Sequence, residues 1–220
     1  MKLPSLEHEI PLWRNGFLII GIDEVGRGAF AGPLVAAGVV FHTPTNKNAL
    51  TTLLSYGIND SKKLTANHRE LLAEIIQNTA LAYHISTISV AQINRTGIGK
   101  ATHSAMEDVV DNLVKHPSLL DFDNKIFALI DGLNAKNLKS IEVKNQKEII
   151  RGDSISLSIA AASIIAKVYR DKHMIALSAK HPEYNWEQNK GYGTLAHRNA
   201  LKTFGSTRNH RKEFIKNYIA

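Results

Sequence analysis

The stretch Phe17–Phe41 reads FLIIGIDEVGRGAFAGPLVAAGVVF, and its reading decides how the chain is built. Phe17 to Ile22 is a short apolar run rich in β-branched residues, the pattern of a buried strand. It leads directly into two adjacent carboxylates, Asp23 and Glu24, then a Gly26-Arg27-Gly28 turn, then a second apolar run, Leu34–Phe41. The connection is too short for a parallel crossover, so the two runs are expected to form an antiparallel hairpin. Neighbouring side chains of a strand point to opposite faces. Asp23 and Glu24 are therefore expected to share a site only where the strand ends or bends, which the glycines just beyond them permit. A carboxylate at the end of a buried strand is costly unless it is paired, solvated or bound to a cation.

Outward from this hairpin, residues 1–16 read as an irregular lead-in, and His42 to Asn48, with Pro44, as a loop. After the polar loop Asn59-Asp60-Ser61-Lys62-Lys63-Leu64, Thr65 is the expected cap of a helix to about Thr79, with Leu71, Leu72, Ile75 and Ile76 on its apolar face. Leu81 to Ser89 alternates as a third strand. Apolar residues recur at helical spacing from Val90 to Val114, with a break or kink expected at Gly97 and Gly99. Lys125–Ile130 is a further short apolar run and ends in Asp131-Gly132. Lys139 to Lys147 is short and basic. Ile149–Asp153 leads into a long helix rich in small residues, Ser154 to about Ala179. Thr194 is the expected cap of a last helix ending at Phe204 and Gly205, and the tail Arg208–Lys216 is basic. Hairpin strands followed by helices alternating with short strands predict an α/β fold, a mixed sheet flanked by helices.

Four acids, Asp23, Glu24, Asp131 and Asp153, stand at expected strand or loop ends beside glycines. Clustered carboxylates repel one another, and a divalent cation relieves the repulsion; all-oxygen ligands suit Mg²⁺ or Mn²⁺. Two such ions about 4 Å apart can stabilise the attacking and leaving oxygens of an in-line phosphoryl displacement. Spacing alone leaves this reading open beside an ordinary turn at Asp131-Gly132 and a helix cap at Asp153. Gly26–Ala31 formally matches a dinucleotide fingerprint, but Pro33 and a strand follow where a helix is needed. Gly97-Ile98-Gly99-Lys100 fails as a phosphate loop, because Asn94 and Ala101 occupy its required positions. Tyr192, between Gly191 and Gly193, either packs within a turn, the reading its residues alone favour, or stacks on a sugar or base. Lys62, Lys63, Lys144, Lys167 and Arg170 are either solvated faces or phosphate contacts. The ten histidines show no zinc-ligand spacing, and most are expected at the surface.

The 220 residues accommodate one sizeable domain. The absence of cysteine excludes disulfides and cysteine zinc sites and allows a reducing compartment. The first sixteen residues lack the apolar core of a signal peptide, and no apolar run approaches a membrane span. A formal net charge of +7 points to a polyanionic partner such as nucleic acid.

Together these motifs resemble the signature of type 2 ribonucleases H, the ribonuclease HII family. The resemblance is carried by Gly21-Ile22-Asp23-Glu24-Val25-Gly26-Arg27-Gly28, Ala31-Gly32-Pro33-Leu34-Val35-Ala36-Ala37, Asp60-Ser61-Lys62-Lys63-Leu64 and Ile130-Asp131-Gly132. Arg151-Gly152-Asp153-Ser154, Ala160–Val168 with Arg170-Asp171, and Lys190-Gly191-Tyr192-Gly193-Thr194 follow in the family's order, so that residues 17 to 214 are covered. The resemblance implies an RNase H-like mixed five-stranded sheet flanked by helices, in a single domain over 1–220, with its core at about 17–180 and a small helical part at about 181–220. It implies endonucleolytic cleavage of the RNA strand of RNA–DNA hybrids and incision on the 5′ side of single ribonucleotides embedded in duplex DNA, giving 3′-hydroxyl and 5′-phosphate ends. By motif, Asp23, Glu24, Asp131 and Asp153 would be catalytic and would hold Mn²⁺ or Mg²⁺. Gly26, Arg27 and Gly28 would contact the 2′-hydroxyl, Tyr192 the sugar at the junction, and Lys62 the substrate. A cytoplasmic monomer with no membrane attachment and no obligate protein partner is implied. The chain departs from the family's usual pattern at Ala29-Phe30, where Pro-Leu is common. Arg208–Phe214 matches the terminal element only loosely, and no appended sliding-clamp motif is evident.

Overall fold

The computed structural model describes residues 3–44, 52, 54–122, 125–133 and 137–219. Residues 45–48 of the loop expected after Phe41 lie outside these. Among the described residues, five strands form one sheet: β1 (Leu18–Val25), β2 (Leu34–Phe41), β3 (Ala80–Ile88), β4 (Ile126–Asp131) and β5 (Gln146–Ile149), in the order β3-β2-β1-β4-β5. The expected hairpin is present, with β1 antiparallel to β2 and β2 to β3, while β1 and β4, and β4 and β5, are parallel. β1 continues past its expected end at Ile22, so Asp23 and Glu24 lie within the strand, opposite Ala37 and Ala36. The basic stretch before Ile149 supplies β5, a strand too short and too polar to stand out in the sequence.

Helices cover both faces. On one, α4 (Ile98–Val114) lays Ala101, Ala105, Met106, Val109 and Leu113 against Leu18, Ile20, Ile22, Ala36 and Ala128. On the other, α5 (Leu157–Ser178) and α2 (Ala66–Thr79) pack on Ile19, Val35, Ala37 and Leu129. Small residues let α5 come very close. A Cβ on Gly21 would lie 2.2 Å from the carbonyl carbon of Ser158, so main chain rests on main chain there.

The periodic run after β3 breaks where expected. Gly97, at φ +81°, ends α3 (Val90–Thr96) and precedes α4. Thr65 and Thr194 cap α2 and α7 (Leu195–Phe204) as expected. Two boundaries differ from the sequence reading. Asp153 does not open the long helix: Gly152–Ser154 is a separate 3₁₀ turn, and Ser156 caps α5. The lead-in holds a short helix, α1 (Glu9–Arg14), because Glu9 is buried and accepts from the Ser156 hydroxyl at 2.6 Å and the Ser158 amide at 3.0 Å. A carboxylate there satisfies donors that the first turn of α5 leaves without helical partners.

The C-terminal elements are α6 (Trp186–Asn189), α7 and α8 (Lys212–Ile215). Tyr184, Trp186, Leu201 and Ile215 form their own apolar cluster with Ala31 and Met174. Among the described residues no helix is long and apolar enough to cross a membrane.

Candidate active site

The carboxylates gather where β1 and β4 end side by side. Ile22 pairs with Ile130, so the next residues along, Asp23 and Asp131, are parallel-sheet neighbours. Side-chain alternation puts both on the α5 face, and Glu24 on the α4 face. Asp153 arrives from the 3₁₀ turn before α5. In an open sheet, the carboxyl ends of parallel strands are the usual place for a ligand.

Each acid has a protein partner. The Glu24 amide donates to Asp23 Oδ1 at 2.7 Å, and the Gly152 amide to Asp131 Oδ1 at 2.6 Å. Glu24 faces Arg27 at 3.9 Å, and Lys62 Nζ donates to Asp153 Oδ2 at 3.1 Å. Among the described residues no three Asp, Glu, His or Cys side chains close around one point. The acids nonetheless feel one another. Burial pushes the Asp23 carboxyl well above the usual range, and the charges of Asp131, Glu24 and Asp153 push it further, with the Ser163 hydroxyl pulling the other way. Burial also raises Glu24, where Arg27 opposes and Asp131 adds. Burial and then Asp153 raise Asp131. Four oxygen-donor groups, desolvated and held against their mutual repulsion, fit a hard divalent cation, which would relieve both costs. They fit zinc or copper poorly, since no nitrogen or sulfur ligand is among them.

Lys62 belongs to a scaffold that fixes the loop Asp60–Leu64 beside this cluster. Asp60 accepts from the Lys62 amide at 3.0 Å and pairs with Lys63 at 3.6 Å. Ser61 bonds Ser163 of α5 at 3.0 Å, and Arg69 donates to the carbonyls of Ser61 and Leu64. The Lys62 side chain itself is exposed, and although burial of its amine pulls its pKa down, Asp153 together with Asp23 and Asp60 more than reverses the effect.

The Gly26–Gly28 turn follows Glu24. Gly26 has φ +86°, and a side chain there would strike Arg170 at 2.1 Å. Gly28 is open on its Cα side, with nothing within 4 Å of a Cβ position, and Arg27 projects into solvent. Beside the turn, Glu24, Arg27, Lys100, His103, Met106 and Asp131 line a cleft of about 300 Å³. Tyr192 is half-buried, held by its amide on the Asn189 carbonyl at 2.9 Å.

Other expectations need correction. Arg170 is no surface or phosphate-binding cation: it is fully buried and bonds three main-chain carbonyls. Lys167, 17% exposed, is tied to Asp171 at 2.7 Å, whereas Lys144, paired with Glu142 at 2.8 Å, is 74% exposed and fits the solvated-face reading. His197 and His210 are the buried exceptions to the mostly surface histidines that were expected, with Trp186 Nε1 donating to His197 Nε2 at 3.2 Å. Arg211, in the loosely matching tail, is fully buried and reaches the Gly26 turn. Nothing local in the sequence marks either arginine as buried. The departure at Phe30 has a local function. Its ring fills the space above Gly193 and stacks near Tyr218 at 5.2 Å, which seats the C-terminal elements on the turn.

Among solved structures, the fold resembles ribonuclease H2 from Pyrococcus horikoshii, with a TM-score of 0.71 and 20% identity, covering 92% of this chain and 97% of that one. It also resembles Bst-RNase HIII in complex with Mn²⁺, with a TM-score of 0.66 and 20% identity, over 92% of this chain and 69% of that one. In sequence, the chain is 45% identical to the ribonuclease HII of Wolbachia sp. subsp. Brugia malayi, over 90% of this chain and 87% of the relative. The family profile of ribonuclease HII matches residues 20–217, a span that holds the paired strand ends, all four acids and the Gly-Arg-Gly turn, and by that match the chain belongs to the ribonuclease HII family of ribonuclease H hydrolases.

Proposed function

We propose that the chain is an endoribonuclease that cleaves the RNA strand of RNA–DNA hybrids and incises duplex DNA on the 5′ side of a single embedded ribonucleotide. The observation that carries this reading is the position of the four mutually repelling carboxylates beside an exposed glycine turn, in a chain of this family. Asp23, Glu24, Asp131 and Asp153 would hold Mg²⁺ or Mn²⁺; the Mn²⁺ complex of Bst-RNase HIII supports a divalent ion of this class. Such ions, when bound, supply charge that activates a water nucleophile and offsets the developing negative charge on the attacking and leaving oxygens.

The protein's own groups do the rest. The strand ends fix Asp23 and Asp131, and the Gly152 amide orients Asp131. Lys62, exposed beside Asp153, would meet a phosphate oxygen of the scissile strand. The Gly26–Gly28 turn lets main chain approach the sugar without a side chain between, so that the 2′-hydroxyl, the group that separates ribose from deoxyribose, is read there. Tyr192 would take the neighbouring sugar face. The basic surface supplies sequence-independent phosphate affinity. Attack at phosphorus with departure of the 3′ oxygen leaves a 3′-hydroxyl and a 5′-phosphate, and no covalent enzyme intermediate is needed.

The test is a labelled DNA duplex with one ribonucleotide beside an all-DNA control, with Mg²⁺ or Mn²⁺ and with EDTA. Metal-dependent incision 5′ to the ribonucleotide, absent from the control, is expected. Equal cutting of both duplexes would show a nuclease blind to ribose, and silence with both metals would leave a hybrid-binding protein.

A further inference from the structure

Arg170 and Arg211 are both fully buried, and the groups they bond are main-chain carbonyls. Arg211 Nε and Nη2 donate to the Gly32 carbonyl at 3.0 and 2.9 Å, and Nη1 to those of Gly26 and Arg27 at 2.6 and 3.0 Å. Arg170 Nε donates to Pro33 at 2.9 Å, Nη2 to Ala31 at 3.1 Å and Nη1 to Lys190 at 2.9 Å. Taking two guanidinium groups out of water is costly. Neutral carbonyl dipoles compensate this less well than carboxylates would, so the arrangement calls for a return other than stability.

That return follows from peptide geometry. In a trans peptide the carbonyl of one residue and the amide of the next point in opposite directions. Arg211 draws the Gly26 and Arg27 carbonyls inward, and so turns the Arg27 and Gly28 amides outward, where Gly28 is open. The rigid fork of one guanidinium thus fixes two adjacent donors, which the ammonium of a lysine cannot do. Arg170 links this turn to Tyr192. It holds the carbonyl of Lys190, two residues before the tyrosine, and its guanidinium carbon lies 5.4 Å from the Tyr192 ring centroid. We propose that Arg211 and Arg170 are positioning residues for ribose readout, aiming the Arg27 and Gly28 amides and the Tyr192 ring at one sugar. The inference rests on the function proposed above and extends it: discrimination between ribose and deoxyribose depends on the C-terminal segment, through Arg211.

The experiment compares wild type with Arg211→Lys and Arg170→Lys. Affinity for a duplex with one ribonucleotide and for the all-DNA duplex is measured in Ca²⁺, incision is measured in Mg²⁺, and thermal melting reports folding. Expected is a loss of about tenfold or more in the affinity ratio and in kcat/KM on the ribonucleotide duplex, with all-DNA affinity held within about twofold. A residue that only stabilises the fold would lower both affinities together and leave the ratio untouched. Should Arg211→Lys fail to fold, Phe214→Leu removes the ring on which the guanidinium rests at 5.5 Å and keeps the arginine; a drop of about threefold in the ratio is then expected. Folded variants that keep the wild-type ratio overturn the inference and leave the functional reading standing. A wild-type protein that neither prefers nor incises the ribonucleotide duplex overturns the functional reading itself.

Discussion

Gly21→Ala tests whether the close seat of α5 on β1 builds the site. Gly21 is an ordinary strand residue, so alanine strains no backbone angle, and its cost is steric. The new methyl would sit 2.2 Å from the Ser158 carbonyl carbon, 2.3 Å from its oxygen and 2.6 Å from the Ile159 amide nitrogen. These are main-chain atoms in the first turn of α5, and no rotamer change clears them. Normal contact begins near 3.4 Å, so the helix must retreat by about 1 Å from a strand buried between two layers. Overpacking of this kind costs about 1–3 kcal/mol, and with rigid backbone on both sides the upper value is expected. The retreat also carries the turn before α5. The Gly152–Asp131 bond, now 2.6 Å, would be pulled beyond hydrogen-bonding length, and Asp153 would shift relative to Asp23. Misplacement of reacting groups by about 1 Å can cost roughly 100-fold in rate. Urea denaturation followed by circular dichroism gives the stability. Single-turnover incision of a ribonucleotide-containing duplex, at a temperature where the variant is folded, gives the rate. A variant within about 1 kcal/mol of wild type, with its rate within about twofold, would refute both the packing argument and its link to the site.

Two further outcomes follow from the charges. In EDTA at pH 7, Asp23→Asn removes a charge that burial and Asp131 disfavour, so the unfolding free energy from urea denaturation should rise by about 1–2 kcal/mol, while metal-dependent cleavage is lost. A carboxylate with a raised folded-state pKa binds its proton more readily in the folded chain. The penalty therefore grows as pH climbs from about 4 through the raised value, and the variant's advantage should vanish in acid; cleavage that survives at saturating Mg²⁺ would remove Asp23 from the site. His210 has the opposite sign. Burial and then His197 push it down to about 4, so the stability it supports is complete above about 6.5 and drains away as pH falls towards 4, a loss of about 2 kcal/mol between pH 7 and pH 5. Urea midpoints of His210→Gln should change less over that interval than those of wild type, and parallel curves would show that this imidazole is not the titrating group.

Much of the site was legible because its residues are short-range punctuation. Asp131-Gly132 ends an apolar run and Gly97 breaks a helical period where expected, and Asp23-Glu24 marks the site although β1 runs on through both acids to Val25. Glu9, Arg170 and Arg211 were not legible. Each is a charged residue in the core, where solvation costs normally forbid one, and only partners far along the chain make the position tenable. β5 escaped because its stability comes from pairing with β4 and not from its own composition.

By itself, then, the sequence determined the local units: an antiparallel hairpin ending in two acids, two helices capped by Thr65 and Thr194, and a set of motifs ordered as in one family. The tertiary structure decided which of those units meet. Parallel pairing of β4 with β1 sets Asp131 beside Asp23, the seat of α5 on Gly21 delivers Asp153, and the tail folds back so that Arg211 holds a turn 185 residues away. Local propensity depends on neighbours three or four residues apart, whereas a carboxylate cluster or a buried cation is paid for by contacts the chain makes only once it has closed on itself.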